Sequence, residues 1–163
     1  MSFNHFDDHG QAIMVDVSEK KKTMRTAIVT ARVLMKQKTL KSILEGDTRK
    51  GDVLGVARLA GIAASKKTPD LIPLSHPLAI HHASIDFDCN LDAGEITVRA
   101  TVRAFERTGV EMEAMVSASL AALTIYDMCK GVDKGIQVEN ISLEFKEGGK
   151  SGTYRKDSSP GDQ

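Results

Sequence analysis

The sequence predicts an α+β sandwich, in which one antiparallel sheet carries its helices on a single face. Four segments place apolar residues at every second position, which is the period of a strand, and longer apolar stretches without that alternation lie between them. The resulting order, β-α-α-β-β-α-β, is that of a ferredoxin-like split βαβ fold. A length of 163 residues, of which 41% are hydrophobic, suits one domain with one core.

The strands are predicted from this alternation. The first covers 24–35, where Ala, Val and Met occupy every second position. Two more, at 83–91 and 96–104, flank the turn 92–94, whose Asp-Ala-Gly sequence is typical of a hairpin. A last strand is predicted around 141–145.

The helices are predicted from apolar stretches with end signals. A short helix covers 39–44, and a longer one begins after Asp52, a residue type that caps helix N-termini, and ends at Lys67. Between Val53 and Ser65 of that second helix Arg58 is the only charged residue, which predicts that most of the helix surface is buried. The longest helix is predicted over 110–130.

The longest helix also predicts self-association. No charged residue occurs from Ala114 to Tyr126, and Ala and Ser predominate there. A helix that is apolar all round is buried on every side, and one sheet in a domain of this size cannot cover every side. We therefore expect a contact between subunits and a homo-oligomer.

A single domain is predicted over 13–150. Residues 1–12 and 151–163 are expected to be flexible tails, the second because it is polar and ends in a Ser-Pro-Gly segment.

Composition excludes several classes of protein. The 22 basic and 22 acidic residues balance, and only 4% of residues are aromatic, which argues against a nucleic-acid partner. No apolar run is long enough for a bilayer and no secretory signal opens the chain, so we expect a cytoplasmic protein without a membrane partner. The two cysteines are isolated and the histidines lack zinc-ligand spacing, so no metal site is expected.

Basic residues concentrate in the first half of the chain. The segment from Glu19 to Asp70 holds thirteen Lys and Arg against five Asp and Glu, which suggests a small, multiply anionic partner. The alternative, a solvated basic face, is the commoner explanation for a run of charge. Lys50 lies just before the N-terminus of the helix that Asp52 begins, where free amides favour anions. Lys50 could bind a phosphate or remain a solvated surface residue.

Asp127 and Lys130 are three positions apart and therefore lie on one helix face. A carboxylate beside an ammonium group in an apolar setting can act as an acid/base pair. The alternative is an ordinary ion pair on a helix surface.

The loop 70–78 is the third candidate. Pro69, Pro73 and Pro77 are three of the chain's four prolines and stiffen this segment around His76. A rigid apolar loop that presents Ser75 and His76 could hold a substrate, although a packed structural histidine is an equal alternative.

Taken together, six motifs closely resemble one family, the cyclic pyranopterin monophosphate synthases of molybdenum cofactor biosynthesis. They occur in the expected order and span about 14–152. The motifs are MVDV (14–17), KGDV (50–53), DLIPLSHPL (70–78), GVEMEA (109–114), LTIYDMCK (123–130) and GGKSG (148–152). Ser75 departs from the Cys that is usual in this family's loop.

The resemblance implies a reaction and a set of residues. The substrate would be 3',8-cyclo-7,8-dihydroguanosine triphosphate, converted to cyclic pyranopterin monophosphate with release of pyrophosphate by a lyase that uses no redox cofactor. The resemblance further implies a hexamer, built as a trimer of dimers with sites between subunits. Asp127 and Lys130 would be the acid/base pair, assisted by Lys50 and Lys146. The substrate would be held by Leu74, Ser75, His76, Glu111, Met112 and Glu113, with Arg25 as a phosphate-binding candidate.

An alternative of another class is a non-catalytic ferredoxin-like oligomer that binds a nucleotide for regulation. A binding module does not need Asp127 and Lys130 on an otherwise apolar helix, whereas a proton-transfer site does. Turnover of the cyclic substrate separates the two.

Overall fold

Five antiparallel strands and four helices form the fold, in a computed structural model that describes residues 5–46 and 51–156. The predicted α+β architecture and the order of its main elements are confirmed. The elements are β1 (Thr23–Leu34), α1 (Gln37–Leu44), α2 (Val53–Ser65), α3 (Thr68–Leu71), β2 (His82–Asn90), β3 (Glu95–Glu106), α4 (Glu111–Cys129), β4 (Gln137–Glu147) and β5 (Tyr154–Arg155).

The sheet has the order β2-β3-β1-β4-β5, with β1 at its centre. Val29 of β1 is paired with Ala100 of β3 on one side and with Leu143 of β4 on the other. The register with β4 shifts beyond Thr30, close to Asn140, whose φ is 52°. This irregularity interrupts the predicted alternation in β4 and leaves Ile141 42% exposed.

The core lies between the sheet and the helices. Every second residue of β1 and β3 faces it, and most of these are Ala or Val, so the helices can approach the sheet closely. The fully buried members are Ala27, Val29, Ala31, Val33, Ile96, Val98, Ala100, Val102 and Ala104. α4 lies across this surface and contacts β1, β3 and β4.

α2 and α4 pack against each other through small residues. Ser117 Oγ of α4 donates a hydrogen bond of 2.8 Å to the carbonyl oxygen of Gly61 in α2. A Cβ at Gly61 would lie 2.9 Å from the Ser117 carbonyl oxygen and from a side-chain carbon of Ile85. Gly61 therefore sets the spacing of the two helices.

The single chain does not bury α2 and α4 on every side. Leu59 of α2 is 70% exposed and Leu123 of α4 is 50% exposed. The described strands form a single sheet, which covers only one side of the helix layer. The other side keeps an apolar surface.

The helix N-cap and the hairpin turn are confirmed. Asp52 accepts a hydrogen bond of 2.8 Å from the Gly55 amide at the start of α2. In the hairpin turn Gly94 has a φ of 63° and lies so close to the Met35 carbonyl that a Cβ would clash. None of the helices described is long and apolar enough to cross a membrane.

The two ends of the described chain carry structure that the sequence did not predict. Phe6 and Ala12 form an isolated antiparallel bridge inside the segment expected to be an N-terminal tail. β5 lies inside the segment expected to be a C-terminal tail and pairs with β4.

Candidate active site

A cavity of about 390 Å³ opens at the N-terminus of α4. It is formed where an N-terminal segment, the proline-rich loop and the junction between β3 and α4 meet. Its lining residues are His5, Val15, Lys20, Leu74, Ser75, His76, Leu78, Thr108, Gly109, Glu111, Met112 and Glu113. Six of the site residues expected from the sequence are therefore brought together here.

The proline-rich loop presents His76 to this cavity. Pro73 and Pro77 restrict the backbone on both sides of the Ser75-His76 pair, which reduces the conformations open to it. His76 Nε2 lies 2.7 Å from the Val15 carbonyl oxygen, so Nε2 is the donor and carries a proton. This bond leaves Nδ1 of a neutral His76 as a proton acceptor.

Glu111 links the first turn of α4 to the sheet. Its Oε1 lies 2.9 Å from the ammonium nitrogen of Lys146, which projects from β4. Gly109 precedes the helix, and a Cβ there would overlap the Glu111 carboxylate. The absence of a side chain at Gly109 therefore permits the position that Glu111 occupies beside Lys146.

Glu113 is the buried carboxyl group of the cavity. Only 3% of the residue is exposed. Burial, as the largest cause, and the neighbouring Glu111 charge together raise the pKa of Glu113 to about 7, against a backbone hydrogen bond that lowers it. A carboxyl group with such a pKa can donate or accept a proton near neutral pH.

Asp127 and Lys130 lie at the other end of α4. Lys130 Nζ is 2.7 Å from Asp127 Oδ1, and both side chains are more than half exposed in the single chain. The hydrogen bond that Lys130 donates to the Asp127 carboxylate raises the pKa of Lys130. Fourteen residues separate Glu113 from Asp127, which corresponds to ~21 Å along the helix axis. One chain therefore does not bring this pair to the cavity.

Arg25 is not among the residues that line the cavity, and backbone groups engage its side chain. Its guanidinium donates hydrogen bonds of 3.2 Å and 3.1 Å to the carbonyl oxygens of Glu106 and Arg107 at the end of β3. It also fills the space that a Cβ at Gly149 would occupy. Lys50, the remaining expected site residue, lies outside the described residues.

The sequence reasoning missed part of the cavity wall. His5 lies in the segment expected to be a flexible tail, and Lys20 is one of three consecutive lysines that the sequence does not distinguish. Val15 could have been found, because it belongs to the first motif of the resemblance. Within residues 5–46 and 51–156, no three His, Cys, Asp or Glu side chains converge in a way that could hold a metal ion.

Comparison with known proteins gives consistent matches over nearly the whole chain. A family model described as the MoaC family matches residues 14–149. The cyclic pyranopterin monophosphate synthase of Geobacter metallireducens is 71% identical over 157 residues, which cover 96% of this chain and 98% of that protein. The proteins of the same name from Pelobacter propionicus and Clostridium botulinum are 66% and 51% identical, over 96% and 93% of this chain and 98% and 96% of theirs.

Proposed function

The chain belongs to the MoaC family, and on that premise we propose that it is a cyclic pyranopterin monophosphate synthase of molybdenum cofactor biosynthesis. It converts 3',8-cyclo-7,8-dihydroguanosine triphosphate to cyclic pyranopterin monophosphate and releases pyrophosphate. The observation that carries this proposal is the convergence of two distant motifs, around His76 and Glu113, in one cavity at the N-terminus of α4, where Lys146 of β4 pairs with Glu111.

The reaction needs two kinds of group. Ring opening and closure require proton transfers, and the departing pyrophosphate requires cationic stabilisation. In the proposal Asp127 and Lys130 exchange protons with the substrate, while Lys50 and Lys146 support charge stabilisation. The proposed substrate contacts are Leu74, Ser75, His76, Glu111, Met112 and Glu113, with Arg25 at the edge of the site. We further propose that the enzyme is a lyase and that it acts in the cytoplasm.

The proposed site is completed by a second copy of the chain. Asp127 lies ~21 Å from Glu113 along α4, too far for both to contact the same atoms of one nucleotide-sized ligand. Antiparallel pairing of two α4 helices about a twofold axis would bring Asp127 and Lys130 of one subunit to the cavity of the other. The exposed Leu123 supports this arrangement, since it lies on α4 between the two ends. The proposed assembly is a hexamer, a trimer of such dimers, with the nucleotide-derived substrate as its ligand.

The test is incubation of the purified protein with the cyclic triphosphate, with detection of both pyrophosphate and the pterin product. We expect equimolar formation of the two. Asp127→Asn is the matched control, because it keeps the shape of the side chain and removes its charge. Binding of the substrate by the unsubstituted protein without turnover would instead favour a regulatory nucleotide-binding protein.

A further inference from the structure

The turn that ends α4 carries Lys130 between two buried residues. The Lys130 amide donates a hydrogen bond of 2.8 Å to the Tyr126 carbonyl oxygen, and the Asp133 amide donates one of 3.0 Å to the Cys129 carbonyl oxygen. Cys129 and Asp133 are 2% and 1% exposed, whereas residues 130–132 between them are exposed. The exposed stretch that begins with Lys130 is therefore anchored at both of its ends.

Asp133 is a buried carboxylate to which the proposed reaction assigns no part. Its Oδ2 accepts hydrogen bonds of 2.9 Å from the Lys36 amide and of 3.0 Å from the Thr39 hydroxyl. Its Oδ1 accepts one of 3.1 Å from the Gly135 amide. A carboxylate can be buried only where donors replace its water, and these three groups are the donors. They lower its pKa, the Lys36 amide foremost, so that Asp133 is ionised at neutral pH.

The two bonds to Oδ2 make Asp133 the cap of the N-terminus of α1. Lys36 is the N-cap residue of this helix, and its own side chain forms no capping hydrogen bond. A carboxylate at this position satisfies a free amide and meets the positive end of the helix dipole. α1 is held in the core by Leu40 and Ile43, which are 0% and 8% exposed. Asp133 therefore ties the turn after α4 to a residue 97 positions earlier in the chain.

We propose that Asp133 is a positioning residue, which fixes the end of α4 so that Lys130 stays beside Asp127 in the geometry that proton exchange requires. The inference rests on the proposed function, which assigns the proton transfers to that pair. Lys130 Nζ lies 2.7 Å from Asp127 Oδ1, with both side chains more than half exposed. An exposed ion pair gains little stability of its own, so its geometry depends on where the backbone places its two members.

The backbone places the two members differently. Asp127 lies inside α4, whereas Lys130 follows the last residue of that helix and precedes the turn that Asp133 anchors. A shift of this turn would therefore move Lys130 relative to Asp127. A displacement of about 1 Å in a reacting group can cost on the order of a hundredfold in rate.

The first experiment measures steady-state kinetics of Asp133→Ala and Asp133→Asn in the full-length protein. An asparagine oxygen can replace Oδ2 and keep both bonds to α1, whereas alanine keeps neither. We expect kcat to fall on the order of tenfold in Asp133→Ala and by about threefold or less in Asp133→Asn. KM should change by less than about twofold in both variants, because the proposed substrate contacts lie at the other end of α4.

The second experiment measures amide hydrogen exchange, which needs no turnover. Asp133→Ala should accelerate exchange at residues 130 and 133 on the order of tenfold and leave the middle of α4 unchanged. A loss of global stability would instead accelerate exchange along the whole helix.

Two further variants separate positioning from a loss of stability. Thr39→Val removes one bond to Asp133 from the α1 side and keeps the size of the side chain, so kcat should fall by a smaller factor than in Asp133→Ala. Ile85→Val is the matched control, because it shortens a buried side chain in β2 and destabilises the protein to a comparable degree. Its kcat should stay within about twofold of the unsubstituted protein.

An unchanged kcat in folded Asp133→Ala would overturn the inference, and Thr39→Val decides the same question if the alanine variant does not fold. An equal fall of kcat in Thr39→Val and Ile85→Val would also overturn it. If the unsubstituted protein makes no pterin product, the proposed function is contradicted. The exchange measurement then decides by itself whether Asp133 fixes the end of α4 that carries Lys130.

Discussion

Glu111 Oε1 lies 2.9 Å from Lys146 Nζ, and this pair joins the first turn of α4 to the strand β4 at the wall of the cavity. Both side chains are about 30% exposed, so the pair is partly shielded from water. Glu111 thereby fixes where the Lys146 ammonium is presented.

The first prediction concerns this pair. Glu111→Gln and Lys146→Ala should each lower kcat/KM on the order of tenfold, because each removes a charge-assisted contact at the site. Since the two residues act together, the double variant should be little worse than the more impaired single variant. Steady-state kinetics measure this, with Lys156→Ala, which breaks the Lys156–Glu144 pair at 3.1 Å, as the control. Strictly additive losses would show that the two residues act independently.

The second prediction concerns Glu113 and pH. The pKa of Glu113 is about 7 in the folded chain against an ordinary 4.5, so above pH 4.5 the unfolded chain releases a proton that the folded chain retains. The free energy of unfolding should therefore fall as pH rises from 4.5 to 7, by up to about 3 kcal/mol.

Glu113→Gln should flatten this pH dependence and stabilise the protein at pH 8. Urea unfolding at pH 5 and pH 8, at one protein concentration, provides the measurement. Glu45→Gln, which changes an exposed carboxyl group directly after α1, serves as the control. An unchanged slope in Glu113→Gln would assign the pH dependence to other groups.

The third prediction concerns the division of the site between subunits. Glu113→Ala and Asp127→Ala should each be inactive, yet their mixture after reversible dissociation should recover part of the activity. A mixed dimer would contain one site in which both residues are intact. Mixing Asp127→Ala with Lys130→Ala is the control, since both changes lie at the same end of α4 and no mixed site is whole. Recovery in neither mixture, despite proven subunit exchange, would contradict the shared site.

The fourth prediction concerns Asp133, whose carboxylate joins two parts of the fold. It accepts hydrogen bonds from the Lys36 amide at 2.9 Å, the Thr39 hydroxyl at 3.0 Å and the Gly135 amide at 3.1 Å, and the first of these contributes most to a lowered pKa. Its stabilising effect is therefore present above the ordinary pKa of 3.8 and lost as pH falls through the lower folded value.

Asp133→Asn should reduce the free energy of unfolding by about 2–3 kcal/mol at pH 7, because an amide cannot accept all three bonds and the donors are left unsatisfied. The difference from the unsubstituted protein should narrow in acid. Urea denaturation at pH 7 and at a series of pH values below 3.8 measures both effects. Asp86 is exposed, so Asp86→Asn is the control and should change the free energy of unfolding by less than about 0.5 kcal/mol. Equal effects of the two substitutions would contradict stabilisation by the three hydrogen bonds of Asp133.

The fifth prediction concerns the spacing of α2 and α4. Gly61→Ala should destabilise the protein by about 1–3 kcal/mol, because its Cβ would press on Ser117 and Ile85 at 2.9 Å. At Gly131 a Cβ meets no atom within 4 Å, so Gly131→Ala is the matched control. Thermal unfolding of both variants measures the difference in stability. Equal stabilities would mean that α2 and α4 can move apart at Gly61 without loss of stability.

Local signals predicted much of this fold. The start of α2 after Asp52 and the hairpin turn at Gly94 follow from the hydrogen-bonding and conformational properties of those residues, and both are confirmed. The strand β4 was predicted only in part, since its pairing with β1 is irregular near Asn140. A register shift depends on the partner strand, so the apolar alternation of a single strand does not predict it well.

The candidate site was predictable where its residues belong to long motifs, as His76 and Glu113 do. Lys20 and His5 could not be predicted, because their place in the cavity wall depends on how the N-terminal segment docks onto the loop and β3. Helix geometry alone predicted that Asp127 and Lys130 share one face at the end of α4 opposite Glu113. In the structure α4 is continuous from Glu111 to Cys129.

By itself the sequence determined the order of the main elements and the family, because apolar periodicity and contiguous motifs are properties of neighbouring residues. Only the tertiary structure decided that Glu113 is buried with a raised pKa, that Glu111 meets Lys146, and that Lys20 reaches the same cavity. The physical reason is that burial and pairing depend on which residues the packing of α4 against the sheet brings together, across separations of 35 residues for Glu111 and Lys146.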